Sequence, residues 1–437
     1  MTQSEFIAVI DLGTYKIKGV VGRKNDNNVF SILESKTIDS GNSIRRGMVY
    51  NIEETGASVR KLITMLENST GQKIGKVYVS LTGQSLHTME LRETKQLSSG
   101  GIVSDDVIKQ LRASADKFTP DLKRNYAVAD VEYFIDGKHE LKPVGVAGSK
   151  IEAAFQIVTG RPNLLSNIEK SISDKAKLPI AGYVVGALAS AAVALNDEEK
   201  ELGCAFVDFG AGTTTLSVYK NGTLKRMVVI PFGGKNITKD ICALNITEND
   251  AEELKIKFGK AHENHESPFF TSPFSSKPDV DLTELNRVIG LRLDEISANL
   301  MEQIRLTGLE SELGAGMIIT GGASQLKNMS DYLTLKFKMP VRKATAKKVH
   351  INNAPELLND PSFTQVLGML LFGEESCHFE EVSDDSDYDD YETTSDTQTR
   401  EAKERVRAAK KIKKTQKQGF LSKFGDMFEN MFSEEDE

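Results

Sequence analysis

The sequence predicts an α/β protein made of two related halves, with a highly charged tail at its C-terminal end. Its 437 residues are enough for two to four folded units of ordinary size. An apolar strand, a glycine-rich turn and a second β-rich run occur near residue 6 and again near residue 204. Helical patterns lie between and after these two copies, which is typical of sheets covered by helices.

The composition excludes several classes of protein. The apolar content of 39% excludes wholesale disorder, and no glycine or proline period indicates a fibrous protein. The three cysteines, Cys204, Cys242 and Cys377, form no CxxC pair, so they provide neither a disulfide framework nor a zinc site. The first residues lack the basic start and the long apolar stretch of a signal peptide. We therefore expect a protein of a reducing compartment.

The two strand-turn-strand copies carry the most specific chemistry. FIAVIDLGTYKIKGVV has Asp11 at the end of its first strand, and CAFVDFGAGTTTLSVY has Asp208 at the same place. Glycines in such a turn let backbone N–H groups approach a phosphate, and threonine hydroxyls add donors. The aspartates can hold a hydrated divalent cation that neutralises the phosphates. Two such loops facing one cleft would hold a triphosphate from both sides, whereas one alone is more typical of a structural hairpin.

The region between the two copies reads as a separate α+β unit followed by a buried strand and helix. The unit comprises a strand, a helix over Asp105–Lys117 and three strands over 126–134, 144–146 and 152–158. The uncharged stretch 178–196 is about as long as a membrane span. Glycine, proline and small residues dilute its hydrophobicity, so a buried strand and an alanine-rich helix fit it better. A span there would also put the first phosphate loop across the membrane from the second.

A third glycine-rich turn follows a buried strand late in the chain. Residues 317–324, MIITGGAS, end this strand in the pair Gly321 and Gly322. The missing side chains would let the turn pass beneath a nucleoside. The alternative is an ordinary turn between a strand and a helix.

The net charge of −8 is concentrated in the tail. Residues 374–399 contain eleven acidic residues and no Lys or Arg, which gives −11; residues 400–417 give +7 and residues 418–437 give −5. Residues 1–373 therefore have a net charge of +1, which is typical of an ordinary globular protein. The acidic block has too little apolar material to offset chain entropy, so we predict a disordered linker. The basic block lacks interleaved aromatic residues and follows a run that would repel phosphates, so we expect no nucleic-acid partner.

The last segment predicts an amphipathic helix. Its apolar residues recur at helical spacing along one stripe, and the intervening positions are polar. The stripe comprises Phe420, Leu421, Phe424, Met427, Phe428, Met431 and Phe432. Such a stripe must be buried in a bilayer interface, a partner groove or the body of the protein itself. Because the neighbouring basic block offsets the acidic polar face near anionic lipid, the membrane is favoured, with docking on a protein as the alternative.

With these motifs the chain resembles the actin, heat-shock chaperone and sugar kinase superfamily, and within it the FtsA family of actin-like bacterial division proteins. The resemblance covers most of residues 6–373. It is carried by IDLGTYKIKGVVG, the Val158-Thr159-Gly160 segment, LASAAVALNDEEKELG, VDFGAGTT, VVIPFGGKNITKDI, TENDAEELKIKFG, IITGGASQL and PSFTQVLGMLLFG. It implies an actin-like ATPase fold, with two ribonuclease-H-like lobes around a nucleotide cleft, an FtsA-type inserted α+β subdomain, and a disordered tail ending in an amphipathic helix.

The resemblance also implies a division of the chain. The segments are a first actin-like subdomain (1–85 and 160–198), the inserted subdomain (86–159), a second, nucleotide-binding subdomain (199–241 and 313–373), a helical subdomain (242–312), the linker (374–417) and the membrane-targeting helix (418–437).

By the same resemblance, ATP and Mg²⁺ would lie between the lobes. The residues implied to bind them are Asp11, Gly13, Thr14, Lys16, Asp208, Gly210, Gly212, Thr213, Gly233, Gly234, Glu252, Glu253, Lys255, Gly321 and Gly322. Asp11 and Asp208 would hold the metal through water, and no catalytic residue is assigned. Two departures from the superfamily pattern, Thr215 in place of a common Asp and Tyr15 in place of a small residue or Thr, predict at most weak ATPase activity.

The partners implied are the FtsZ C-terminal peptide, further copies of the chain in an actin-like filament, membrane lipid, and other division proteins through the inserted subdomain. Arg305, on a long helix predicted over 282–309, would contact the acidic groups of the FtsZ peptide. The loop 262–280 is short and rich in Ser and Pro for the family, which could alter partner contacts.

These features predict a cell division protein that binds ATP and polymerises on the cytoplasmic face of the cell membrane at the division site. It would anchor FtsZ filaments and help to recruit later division proteins, with ATP mainly as a structural ligand. One alternative is a superfamily ATPase or phosphotransferase, which would need a sugar-facing base or a substrate domain after residue 373. The other is an actin-like pilus-assembly adaptor, which would lack the tethered terminal helix.

Overall fold

The computed structural model describes residues 5–98, 100–262 and 280–379. Its strands are β1 (Ile7–Leu12), β2 (Lys16–Lys24), β3 (Phe30–Asp39), β4 (Ile44–Arg45), β5 (Met48–Val49), β6 (Val77–Leu81), β7 (His87–Gln96), β8 (Arg124–Ile135), β9 (Lys138–Glu140), β10 (Lys150–Gly160), β11 (Ile180–Val185), β12 (Cys204–Phe209), β13 (Thr214–Lys220), β14 (Thr223–Ile230), β15 (Met317–Thr320) and β16 (Val341–Lys343). Its α-helices are α1 (Ile52–Thr70), α2 (Asp105–Lys117), α3 (Asn163–Glu169), α4 (Gly186–Ala194), α5 (Asp197–Leu202), α6 (Gly234–Ile241), α7 (Glu248–Phe258), α8 (Leu282–Arg305), α9 (Met329–Phe337), α10 (Pro355–Leu358) and α11 (Thr364–Met369).

The same five-stranded arrangement occurs twice. In the first sheet, with the order β11-β6-β1-β2-β3, β1 is antiparallel to β2 and parallel to β6. In the second, β16-β15-β12-β13-β14, strand β12 is antiparallel to β13 and parallel to β15. Each sheet therefore combines a three-stranded antiparallel meander with two parallel strands. The internal repeat predicted from the two hairpin copies is confirmed at the level of topology.

A third group of strands extends the second sheet. Strands β7, β10, β8 and β9 are antiparallel neighbours in that order, and β7 meets β14 through the pair His87 and Val228. The predicted helix over Asp105–Lys117 is confirmed as α2. The predicted strand over 144–146 is wrong. Gly145 has a positive φ of 89° and Val144 is 48% exposed, so this segment turns, and β9 forms earlier in the chain.

Buried apolar side chains form three separate clusters. One surrounds the first sheet, one lies between the second sheet and α6, α8 and α9, and one lies between α2 and β7, β8 and β10. Each cluster removes its apolar surface from water, which is the main favourable term in folding. The uncharged stretch 178–196 belongs to the first cluster as β11 and α4, as predicted. Among the described residues, no helix combines the length and the hydropathy that crossing a bilayer requires.

The long helix and the linker differ from their predicted bounds. Helix α8 ends at Arg305 rather than at residue 309, and Gly308 turns the chain with a φ of 69°. Residues 374–379, predicted as the start of the linker, pack on the first sheet: the N–H of Cys377 donates to the carbonyl of Phe6 at 2.7 Å, and Ile74 forms a bridge with His378. The rest of the linker, the terminal helix and residues 263–279 of the short loop lie outside the described residues.

A half-buried carboxylate joins the third group of strands to the second sheet. Asp130 in β8 accepts hydrogen bonds from the N–H of Leu224 in β14 at 2.8 Å and from the N–H of Val131 at 2.9 Å. Burial raises the pKa of Asp130 to about 6, although these donors, Lys200 and Lys225 oppose the shift. An unfolded aspartate titrates near about 4, so the folded protein holds an extra proton between about pH 4 and about pH 6. Stability due to this group therefore falls as the pH rises through that window.

Replacing Asp130 with asparagine removes this titration. We expect the melting temperature of Asp130→Asn, relative to wild type, to rise by roughly 2–4 °C between about pH 5 and about pH 7.5. Asp136→Asn is the matched control, since hydrogen bonds from Ser149 lower the pKa of Asp136 and put its titration below this range. Its melting temperature relative to wild type should stay constant. If the difference for Asp130→Asn also stays constant with pH, the pKa of Asp130 is not raised on folding.

Candidate functional site

The turns of the two equivalent hairpins meet at their tips. A Cβ atom placed on Gly212, in the turn between β12 and β13, would lie 2.5 Å from Oγ1 of Thr14, in the turn between β1 and β2. We call this region, residues 11–15 and 208–213, the hairpin junction. Both turns are tight in the same way, since a Cβ on Gly13 would lie 2.5 Å from the carbonyl oxygen of Lys16 and one on Gly210 would lie 2.9 Å from that of Thr213. The structure thus brings the two predicted phosphate loops together.

The two aspartates lie at the hairpin junction, and each accepts a hydrogen bond from a polar side chain. Asp11 is 7% exposed, and its Oδ1 accepts a hydrogen bond from Nε2 of Gln365 at 2.5 Å. Asp208 Oδ2 accepts one from Oγ of Ser190 at 3.2 Å. Burial raises the pKa of Asp11, and burial together with the neighbouring Asp11 carboxylate raises the pKa of Asp208 to about 6. Two carboxylates in one buried region need positive charge close by.

Lys18 supplies that charge, and sequence reasoning missed it. It lies on β2, is 8% exposed, and donates a hydrogen bond to the carbonyl of Ser362, with its Nζ 4.3 Å from the ring centroid of Phe363. Burial lowers the pKa of Lys18, and attraction from Asp11, Asp360 and Asp208 opposes this. The available signal was a lysine within the otherwise apolar run of a buried strand, IKGVVG, where a charged side chain is costly unless it is paired.

The third glycine turn packs directly on the end of β12. Gly321 has a φ of 87°, and a Cβ there would lie 2.6 Å from the carbonyl oxygen of Phe209. Glycine is therefore required at this position by both conformation and space. A Cβ on Gly322 would instead make only an ordinary contact, 3.6 Å from Cβ of Ser362.

The start of α6 lies against the second hairpin. A Cβ on Gly233 would lie 2.6 Å from the carbonyl oxygen of Gly210, and the N–H groups of Gly234 and Lys235 donate to the carbonyls of Gly210 and Ala211 at 3.0 and 2.8 Å. These bonds satisfy donors that the first turn of a helix leaves unpaired.

A lysine of α7 forms hydrogen bonds with α6. Lys255 Nζ donates to Oε2 of Glu252 at 2.6 Å, to Oγ1 of Thr238 at 2.8 Å and to the carbonyl of Gly234 at 3.1 Å. The predicted residues Glu252 and Lys255 therefore lie beside the second hairpin. Glu253 does not, because adjacent helical positions point in different directions; its side chain is 59% exposed and pairs with Lys257.

Two further predicted residues lie apart from the hairpin junction. Lys16 pairs with Asp39 at the surface, with its Nζ 4.9 Å from the ring centroid of Tyr15. The side chain of Arg305, at the end of α8, is 62% exposed and forms a bidentate ion pair with Glu302, with N–O distances of 2.7 and 2.8 Å. Thr215 stands where the superfamily commonly has an Asp, and it is the cross-strand partner of Asp208. An Asp at this position would have added a third carboxylate beside Asp11 and Asp208.

Comparisons with known proteins agree on one family. The family model described as "Cell division protein FtsA" matches residues 205–368. The "Cell division protein FtsA" of Porphyromonas gingivalis (strain ATCC BAA-308 / W83) is 34% identical over 328 residues, which cover 74% of this chain and 68% of that protein. The protein of the same description from Neisseria meningitidis serogroup B (strain ATCC BAA-335 / MC58) is 28% identical over 379 residues, covering 84% and 90%.

Solved structures support the fold. One described as "PilM-PilN type IV pilus biogenesis complex" superposes with a TM-score of 0.59 at 15% identity, covering 84% of this chain and 98% of that chain. At this identity the similarity shows the fold alone, and it confirms the predicted mixed α/β fold of actin-like type. With the repeated sheets, the joined hairpin tips and the curated relatives in agreement, the chain belongs to the FtsA family of cell division proteins.

Proposed function

We propose that the hairpin junction binds ATP with Mg²⁺, and that the nucleotide-bound body is an adaptor that holds FtsZ filaments at the membrane. One observation carries the first part: equivalent turns of two repeated sheets meet where Gly212 faces Thr14, and Lys18 is buried beside two carboxylates. A glycine cradle and a desolvated ammonium are the donor set that a polyphosphate requires.

The residues at the hairpin junction fit a phosphate chain. Oγ1 of Thr14 accepts a hydrogen bond from the N–H of Gly47 at 2.9 Å, which leaves the hydroxyl hydrogen to be donated to a phosphate oxygen. Gly13, Gly210 and Gly212 keep side chains away from the backbone donors of both turns, and Thr213 adds a hydroxyl. Asp11 and Asp208 would hold Mg²⁺ through water, and the metal when bound would offset phosphate charge.

The nucleoside would lie between α6, α7 and the third glycine turn. A Cβ on Gly234 would lie 3.1 Å from Cβ of Ala323, so the start of α6 and the third glycine turn are in contact. Glu252 and Lys255 would approach the ribose and base, with Gly321 and Gly322 beneath the adenosine. Binding across both sheets would stabilise the closed arrangement by mass action. Thr215 beside Asp208 removes one carboxylate from the metal-water site, so the nucleotide acts as a structural ligand with at most slow turnover.

The adaptor role uses surfaces away from this site. The stripe Phe420–Phe432 on the terminal segment would insert into the cytoplasmic face of the membrane, and self-association into an actin-like filament would multiply this weak attachment. Arg305, exposed on α8, would contact the acidic FtsZ C-terminal peptide. The unit around α2 and β7–β10 would take further division proteins.

Lys18→Met tests the nucleotide site. We expect affinity for ATP to fall by roughly ten- to a hundredfold, because a hydrogen bond to a charged group contributes about 1.5–3 kcal/mol. Affinity for adenosine, which has no phosphate, should be almost unchanged, and comparing the two ligands by calorimetry separates phosphate recognition from a general loss of stability. Lys24→Met, at the far end of the same strand, is the matched control. Equal losses for ATP and adenosine would place the phosphates elsewhere.

A further inference from the structure

A strongly basic segment follows α9 and includes β16. Between residues 332 and 355 there are six basic residues and no acidic one: Lys336, Lys338, Arg342, Lys343, Lys347 and Lys348. Residues 1–373 as a whole have a net charge of only +1, so this segment is a local concentration of positive charge. None of the functions proposed above uses it.

Four of these residues line a groove beside α5. The groove has a volume of about 410 Å³, and its charged lining consists of Arg342, Lys343, Lys347 and Lys348 with one acidic residue, Glu199. Its position is held by backbone contacts, since the N–H of Lys347 donates to the carbonyl of Val193 at 3.0 Å. The groove is therefore a preformed concave surface of the body.

The acidic groups nearby are already paired. Glu199 binds Arg342 at 2.5 Å, and Asp197 lies 3.6 Å from Lys200. Within the described part of the chain, the side chains of Lys343, Lys347 and Lys348 have no hydrogen-bond or ion-pair partner. Partial burial lowers the pKa of Lys347, and Lys200 and Arg342 lower it further, while Glu199 and Asp197 oppose the shift. A half-buried ammonium crowded by like charge is a site that an anion would stabilise.

The groove lies at the end of the first sheet from which the chain leaves the described fold. The N–H of Phe30, the first residue of β3, donates to the carbonyl of His350 at 2.8 Å. The N–H of Cys377 donates to the carbonyl of Phe6, which comes just before β1. The start of β1 lies at the same end of the sheet as the start of β3, because Gly22 of β2 pairs with both Ile7 and Ile32. The hairpin junction is at the opposite end of β1. Val349, which is 64% exposed, adds an apolar side chain beside Lys347 and Lys348.

We propose that this groove binds the phosphate headgroups of anionic membrane lipids and so orients the body on the bilayer. The inference rests on the membrane attachment proposed above. Thirty-eight residues separate Phe379 from residue 418, so a membrane anchor in the terminal segment would on its own set no orientation for the body. A basic groove at the end of the first sheet where the described chain ends supplies the second contact. Each lysine near an anionic surface increases binding roughly fivefold at low salt.

The test compares two pairs of substitutions in the full chain. Lys347→Gln with Lys348→Gln removes two charges at the groove, and Lys109→Gln with Lys117→Gln removes two exposed charges from α2. Co-sedimentation is measured at low salt with vesicles of phosphatidylcholine alone and of phosphatidylcholine mixed with phosphatidylglycerol. The groove pair should weaken binding to the mixed vesicles by roughly twenty- to thirtyfold, about fivefold for each lysine, and leave binding to the neutral vesicles unchanged. The control pair should match wild type on both.

The possible outcomes separate this proposal from the others. If the groove pair binds mixed vesicles as wild type does, the proposal is wrong. If it also loses binding of inorganic phosphate measured by calorimetry, the groove belongs to a soluble anion. Lys343 and Lys348 are both exposed, so Lys343→Gln with Lys348→Gln repeats the test should Lys347→Gln disturb folding, which ATP affinity and thermal unfolding report. Failure of the terminal anchor gives a different pattern, in which Phe424→Glu still sediments with both vesicles.

Discussion

Gly212→Val is expected to weaken ATP binding by roughly ten- to a hundredfold. Gly212 faces Thr14 across the hairpin junction, and an added Cβ would lie 2.5, 2.8 and 2.9 Å from three atoms of that side chain, including its own Cβ. No rotamer of Thr14 moves its Cβ, so the two turns must separate. Overpacking of this kind costs about 1–3 kcal/mol. Since the proposed site needs both turns on one phosphate chain, that cost falls on nucleotide affinity, measured by calorimetry with Mg²⁺ and ATP.

The control for this substitution is Gly290→Val on α8. A Cβ at Gly290 would meet no atom within 4 Å, so the same chemical change is made where there is space. We expect its ATP affinity to match wild type. Unchanged affinity in Gly212→Val, with folding verified by circular dichroism, would remove the second hairpin from the nucleotide site and with it the proposed binding mode.

Phe424→Glu is expected to abolish sedimentation with phospholipid vesicles while ATP affinity stays at the wild-type value. Phe424 is in the middle of the apolar stripe predicted for the terminal segment. The substitution loses the burial of a large apolar side chain, about 1.5–3 kcal/mol, and places a carboxylate at the headgroup boundary. Together these effects predict a loss of binding of at least about a hundredfold.

Asn430→Glu is the matched control for the anchor. It adds the same charge to the same segment, but on the polar side of the predicted stripe. We expect it to sediment nearly as wild type does. If both variants sediment equally well, the terminal segment is not the membrane anchor, and the adaptor proposal would need another attachment.

Much of the fold could be predicted from local patterns. Asp105–Lys117 has the predicted bounds, and the strand expected within 178–196 forms at Ile180–Val185. The spacing of apolar residues and a polar residue before the helix specify such elements locally. The repeat of Asp11 and Asp208 on equivalent hairpins predicted the internal symmetry, which the two sheet orders confirm. The strand at 144–146 failed because Gly145 takes a left-handed conformation that no apolar spacing encodes.

The residues around the two aspartates were harder to predict. Gln365 lies 354 positions from Asp11 in sequence, yet its amide donates to the Asp11 carboxylate. It has room there because Gly186 has no side chain: a Cβ at Gly186 would lie 2.6 Å from Cδ of Gln365. Ser190 is likewise an ordinary helix residue until the sheets assemble, and the acidic partners of Lys18 are defined only then. Glu252 and Glu253 are neighbours in sequence, and only the orientation of α7 decides that the first lies beside α6 while the second is exposed.

The sequence by itself determined the family, the repeated strand-turn-strand units, the glycines of their turns and the charge pattern of the tail, because each of these is written in residues close together along the chain. The tertiary structure alone decided that the two turns meet, that Lys18 compensates Asp11 and Asp208, and that the basic groove and the departing tail share one end of the first sheet. These relations depend on contacts between segments hundreds of residues apart, and such contacts exist only once the two sheets have packed.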